Sequence, residues 1–240
     1  MKVQKKRVNS LYYGKYPYCL TFKNEFFAIF RNTNMTNIRV TLDILTQVIS
    51  KDREQRYKPQ EFGSLPKWLV HNIISKPLWK TYNTFTDAKK LYNFLLREKD
   101  NTGLRVEYPR QVTIYSADRN ILLDIAKQLH ADSTLHEPEE ENLAILLSMP
   151  DVQIVRRPTD YKYKVMFKSG TKDLAFFGKW CMNSYGRIIV TPKTLNAMLL
   201  NYHLDGLSIK VKDDKTLTLV NLMIGQHIGR VKKLVFNDKY

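Results

Sequence analysis

Residues 161–168 read YKYKVMFK, and residues 14–23 read GKYPYCLTFK. Both contain the frame Tyr-x-Tyr-x-x-x-Phe-Lys, offset by 145 positions. Bulky residues fall at every second place: Tyr16, Tyr18, Leu20 and Phe22 in one copy, Tyr161, Tyr163, Val165 and Phe167 in the other. A period of two predicts a strand with one face against a core. In the later copy Lys162, Lys164 and Lys168 share the opposite face. Either the aromatic face is core and the lysines are solvated, or the lysine face meets phosphates.

The two copies raise the question of an internal duplication. After the first, the chain continues to NIRVTLDILTQVI (37–49); after the second, to RIIVTPKTLNAML (187–199). The segments share Ile-x-Val-Thr and a later Leu, and the order strand, strand, strand, helix is expected in both. Five residues must be inserted to align them. Strands rich in Tyr, Val and Phe also resemble each other by propensity alone, so chance is the competing explanation. Matching strand order is the test.

Charge is the loudest bulk signal. The chain of 240 residues carries a formal net charge of +16. Residues 1–60 hold +8, residues 61–130 hold +4 and residues 152–240 hold +10, whereas 131–151 hold −6. So large an excess opposes compaction and points to a polyanionic partner. Nucleic acid is the commonest one. The acidic stretch DSTLHEPEEEN is expected as a surface loop able to dock on a basic patch and compete with nucleic acid. No apolar run reaches the roughly 20 residues of a bilayer span, and no apolar signal segment follows the basic start. An intracellular protein, cytoplasmic or bound in a nucleoprotein, is expected. Cys19 and Cys181 form no metal-like pair or disulfide framework and are read as small buried thiols.

Further elements follow from pattern. Residues 1–10 are expected as a flexible basic arm. Phe26–Phe30 and Ile38–Thr41 are expected strands, the latter followed by a helix bearing Leu42, Leu45, Val48 and Ile49. A charged linker spans 51–60, and a short helix lies between Pro66 and Pro77. Thr86 is expected to cap the next helix, Leu104–Tyr108 and Gln111–Tyr115 to be strands, and Ser116 to cap a helix through Leu129. A short helix is expected over Glu140–Ser148. Val152–Val155 and Tyr161–Phe167 are expected to pair as a hairpin. Strands are also expected at Leu174–Phe177 and Arg187–Val190. Thr191 with Pro192 starts a helix. Leu207–Val211 and Thr216–Val220 are expected as another hairpin, before a last basic strand, GRVKKLVF.

The strand at 14–23 does not fit the aromatic strand of an RNA-recognition motif: with Tyr16 and Tyr18 in place, Thr21 rather than Phe22 takes the third position. Pro150-Asp151 followed by Asp160-x-Lys162 superficially resembles the PD…(D/E)xK arrangement of Mg²⁺ nucleases, with Glu141 as a further possible ligand. The histidines lack metal-site spacings, and no phosphate-loop or nucleophile motif is present. No cofactor and no metal are expected.

The sequence therefore predicts an α+β fold, mainly antiparallel sheets with packed helices, in two related halves if the repeat is a duplication. The expected regions are 11–135 and 136–240 after the arm. The expected function is non-catalytic nucleic-acid binding, DNA or RNA, through a basic strand surface and the arm. The candidate contacts are Lys5, Lys6, Arg7, Arg156, Arg157, Lys162, Lys164, Lys168, Lys210, Lys212, Arg230, Lys232 and Lys233. These residue types suit phosphate contact, which positions but does not specify. The alternatives are a structural or assembly protein of a nucleoprotein or virion, with a protein partner or self-association, and the Mg²⁺ nuclease. Lysine-, asparagine- and tyrosine-rich usage suggests an AT-rich viral or phage genome.

Overall fold

The computed structural model describes residues 3–31, 34–51, 78–107 and 111–237. The expected linker at 51–60 lies outside these apart from Lys51, as does the expected helix between Pro66 and Pro77. The chain forms two compact units. The first comprises Met1–Val8 and Lys15–Pro138, the second Asn9–Gly14 and Glu139–Tyr240.

In the first unit the strands are β1 (Val3–Val8), β2 (Tyr18–Lys23), β3 (Thr102–Glu107), β4 (Gln111–Ser116) and β5 (Ser133–Pro138). Their order in the sheet is β1-β5-β2-β4-β3. β1 runs parallel to β5, and every other pair is antiparallel. The helices are α1 (Met35–Lys51), α2 (Leu78–Arg97) and α3 (Arg119–Gln128). They pack on the face bearing Leu20, Phe22, Val112, Ile114 and Leu135, with Leu42, Leu91 and Ile125 among the contributions from the helices.

Several local expectations are corrected here. Residues 3–8 are not a flexible arm: they form β1, hydrogen-bonded along β5. The acidic stretch is not a surface loop, because Ser133–Pro138 is β5, inserted between β1 and β2. Leu135 is fully buried there, and Glu137 is salt-bridged to Lys5 and Arg119. Phe26, Phe27, Ile29 and Phe30 are all buried. A strand would turn alternate members outward, and the chain instead coils into a 3-10 turn over Phe27–Arg31. Ile38 lies within α1, not on a strand. Asn34 accepts from the Thr36 amide at 2.9 Å, which starts the helix. Ile38, Leu42 and Leu45 then recur at helical spacing on its buried side. Thr86 lies inside α2, since nothing between Leu78 and Thr86 is a Gly or Pro that would stop the helix. The cap of α3 is Asp118, which accepts from Asn120 at 2.7 Å, while Ser116 accepts from the Asp118 amide.

The second unit holds β6 (Val152–Val155), β7 (Tyr163–Phe167), β8 (Ile188–Val190), β9 (Ser208–Val211) and β10 (Ile228–Phe236). Its order is β6-β10-β7-β9-β8. β6 and β7 are strands as expected but not a hairpin: β10 enters between them, parallel to β6 and antiparallel to β7. The helices are α4 (Glu140–Ser148), α5 (Ala175–Asn183), α6 (Pro192–Leu199) and α7 (Asp214–Ile224). Leu174–Phe177 is not a strand, because Leu174, Phe177 and Cys181 make one buried helical stripe at the start and middle of α5. Thr216–Val220 belongs to α7. Its alternating Thr-Leu-Thr-Leu-Val imitates a strand, but Asp213 accepts from the Thr216 amide at 2.7 Å and caps a helix that buries Thr216, Val220 and Ile224. Thr191 caps α6 as expected.

The two sheets repeat one topology. Counted within each unit, the strand order is first, fifth, second, fourth, third, with the first and fifth parallel. The second strands are β2 and β7, which carry the repeated frame: Tyr18 and Tyr163, Leu20 and Val165, Phe22 and Phe167 occupy matching core-facing places. The aromatic face of the repeat is thus core in both units. The second matched segment does not follow, since Ile38 is helical and Ile188 lies in β8.

Candidate functional site

The position of β10 decides what the basic residues make. Lys232 stands directly opposite Lys164 on β7, and Lys164 stands directly opposite Lys210 on β9. Three lysines therefore form one row across adjacent strands on one face of the second sheet. Strands lie about 4.8 Å apart, so the row spans about 10 Å. The opposite face carries Val165, Phe167, Ile209 and Val211 against α5–α7, and Val152 and Ile154 against α4. All four helices of this unit thus pack on the face away from the lysines. Like charges directly opposed across strands destabilise a sheet, and this row retains them.

Arg230 lies on the lysine side of β10, opposite Met166, and is held by Asp151 at 2.8 Å. Gly14, at φ +70°, packs against that guanidinium so closely that a side chain there would displace it. The Asp151 carboxylate acts on Lys232 only through space, partly offsetting the cations around it. Among the described residues, Lys164, Lys210 and Lys232 have neither a hydrogen-bond acceptor nor a carboxylate in an ion pair. Exposure falls along the row: Lys210 is exposed, Lys164 intermediate, and Lys232 only 8% exposed. Burial, then the neighbouring Lys210, lowers the Lys164 pKa. Burial, then Arg230 and Lys164, brings the Lys232 ammonium down to about 8.

The sign of that shift gives a prediction. With its folded pKa below the unfolded value, Lys232 destabilises the fold fully below pH 8, and the penalty fades as pH rises from about 8 to about 10.4. Lys232→Met should therefore be more stable than the native protein at pH 7, with the advantage shrinking above pH 8. Urea titrations at pH 7 and pH 9.5 check this; a methionine variant less stable at pH 7 would contradict it.

The remaining sequence candidates are spread out. Lys162 pairs with Asp214 at 3.6 Å. Lys168 is exposed just beyond β7, Lys212 just beyond β9, and Arg156 and Arg157 just beyond β6. Lys233 alternates to the helix-covered side of β10, opposite Tyr163. Lys5, Lys6 and Arg7 lie on β1 of the first unit. There Lys5 is engaged with Glu137 at 3.2 Å. The pull of Arg119 and Lys5 outweighs burial and holds the Glu137 carboxyl below its ordinary range. One residue was missed by the sequence reading. Phe236, two pairs of steps from Lys232 along β10, lies on the lysine side and is 42% exposed. The alternation Lys232, Leu234, Phe236 was the signal for it.

Asp151, Asp160 and Lys162 are divided by the sheet order. Asp151 precedes β6 and binds Arg230, Lys162 precedes β7 and binds Asp214, and β10 runs between. Among the described residues no three His, Cys, Asp or Glu side chains gather as a metal site. Both cysteines are buried and neither is in a disulfide, and burial pushes the Cys181 thiol up to about 12. Among the described residues no helix is long and apolar enough to cross a membrane. Comparison with protein-family models, curated proteins and solved structures finds no match.

Proposed function

We propose that this protein binds nucleic acid without catalysing a reaction, using the lysine face of the second sheet. The observation that carries the reading is the row Lys210–Lys164–Lys232, three cations placed directly opposite one another and, among the described residues, without a carboxylate in hydrogen-bond or ion-pair reach. A bound anion would relieve this mutual repulsion, since an opposite charge nearby favours the charged form. The exposed Arg156, Arg157, Lys168 and Lys212 extend the same unit's positive charge, and the net +16 supplies long-range attraction. The AT-rich style of the sequence fits a viral or phage nucleoprotein.

The test is fluorescence anisotropy with labelled single-stranded and duplex DNA and RNA, at about 50 and 200 mM salt with EDTA present. Binding that weakens by about 10³-fold over that range corresponds to about six or more phosphate contacts. Absence of binding to all four ligands at low salt would sink the reading. A second reading, an assembly protein, is favoured by apolar side chains exposed on or beside the second unit's helices: Tyr185 at 96%, Leu222 at 78% and Phe176 at 54%. It predicts a defined oligomer, or capture by one protein partner, in the absence of nucleic acid.

A further inference from the structure

We infer that the lysine row and Phe236 form a seat for a single nucleic-acid strand rather than a duplex; this rests on the nucleic-acid reading above. Two independent features select the single strand. The first is the gradient of exposure. Lys210 is open to any polyanion, but Lys232 is nine-tenths buried and its ammonium has no acceptor among the described residues. A phosphate can pair with it only by coming close to the sheet, beside Lys164. A duplex is stiff over about 150 base pairs and offers its phosphates from a rod. It meets Lys210 and leaves Lys232 unpaired. A single strand bends freely and can lead successive phosphates along a 10 Å row.

The second feature is Phe236. It is an exposed aromatic on the same side of the same strand as Lys232. Residues on one side of a strand repeat about every 6.6 Å, which puts Phe236 about 13 Å from Lys232 along β10. Nearer the row lies Leu234, which is buried. An unpaired base has a free π-face to lay on the phenyl ring, whereas bases stacked in a duplex have none. A positive track with a flanking aromatic is the combination used for sequence-tolerant single-strand binding. The lowered pKa of Lys232 adds a signature: binding of a phosphate returns its proton, so affinity falls as pH rises past 8.

The experiment uses the full chain, oligothymidylate of 20 nucleotides and a 20-base-pair duplex, followed by anisotropy at 50 mM salt. The single strand is expected to bind at least tenfold more tightly. Phe236→Ala should weaken single-strand binding by about tenfold, in the range of one lost stacking contact, and leave duplex binding unchanged. Lys232→Met should weaken the single strand and remove the fall in affinity between pH 7 and pH 9; its thermal unfolding shows that the variant is folded. Equal affinity for the two ligands, or single-strand binding untouched by both substitutions, overturns the inference while nucleic-acid binding itself stands. Failure of the native protein to bind either ligand overturns the inference, and failure with single-stranded and duplex RNA as well overturns the nucleic-acid reading.

Discussion

Replacing Asp87 with alanine should cost the first unit about 3–5 kcal/mol, the range for leaving a buried charged network without one partner. Asp87 is 1% exposed in the middle of α2. Its carboxylate accepts from the backbone of His130 at 2.8 Å, from Ala131 at 2.9 Å and from His130 Nδ1 at 2.8 Å. Those donors belong to the turn that leads from α3 into β5, the strand between β1 and β2. Alanine removes every acceptor at once and strands two backbone amides, each costing about 1–3 kcal/mol if left unsatisfied. At about 2–4 °C per kcal/mol for a chain of this size, the unfolding midpoint should drop by roughly 10 °C. Asn retains one acceptor oxygen and should lose less. His130→Ala should lose least, because its ring is 45% exposed and both backbone bonds survive. Thermal unfolding of the three variants gives the ranking, and an alanine variant within 1 kcal/mol of native would show that the turn is held by other means.

Asp87 also marks where sequence reading stops. A carboxylate inside an apolar helical stripe was visible, but its partners lie more than 40 residues away, and no local pattern names them. The same holds for the basic face. Period two showed that Lys162 and Lys164 oppose the aromatic side of β7, and that reading of the core side is correct in both copies of the repeat. What period two does not give is lateral order. β10 is the last strand of the chain, yet it sits between β6 and β7. That non-local placement puts Lys232 beside Lys164 and parts Asp151 from Lys162.

The misread elements share a different cause. At 26–30 and 216–220, short apolar runs suit helix and strand equally, and propensity leaned toward strand. Capping decided the second of these: Asp213, and likewise Asn34 for α1, bind the amides of a first helical turn. Both were legible as residues ahead of a helical stripe. The identical strand orders of the two sheets are a stronger sign of repetition than the Ile-x-Val-Thr match, which falls on unlike elements. In the matching places on β2 and β5 of the first unit, Cys19 and His136 stand where Lys164 and Lys232 stand in the second. The shared topology thus carries a charged row in one unit and not in the other, so the fold itself does not require the row.

Removing the row is then the most direct test of the proposed function. The combined variant Lys164→Ala, Lys210→Ala, Lys232→Met should weaken single-strand binding at low salt by about a thousandfold or more, at about 1.5 kcal/mol or more for each lost charge-assisted contact. The slope of log affinity against log salt should fall by about 2, since each single-strand phosphate contact contributes about 0.7. Lys5→Ala is the informative contrast. Lys5 is as cationic as the others, but Glu137 already compensates it at 3.2 Å, so its loss should change affinity by less than about threefold, the scale of an exposed pair. A model in which net charge alone attracts nucleic acid predicts instead that the row counts only as three charges out of +16. The argument from repulsion is tested on the stability axis as well. The triple variant should unfold at higher denaturant at pH 7 than the native protein, because the opposed charges and the desolvation of Lys232 are gone. Tighter folding together with lost binding is the combination that a site maintained against the interest of its own sheet must show. Lost binding with unchanged or lower stability would mean that the lysines are accommodated at no cost, and the argument from repulsion would fall.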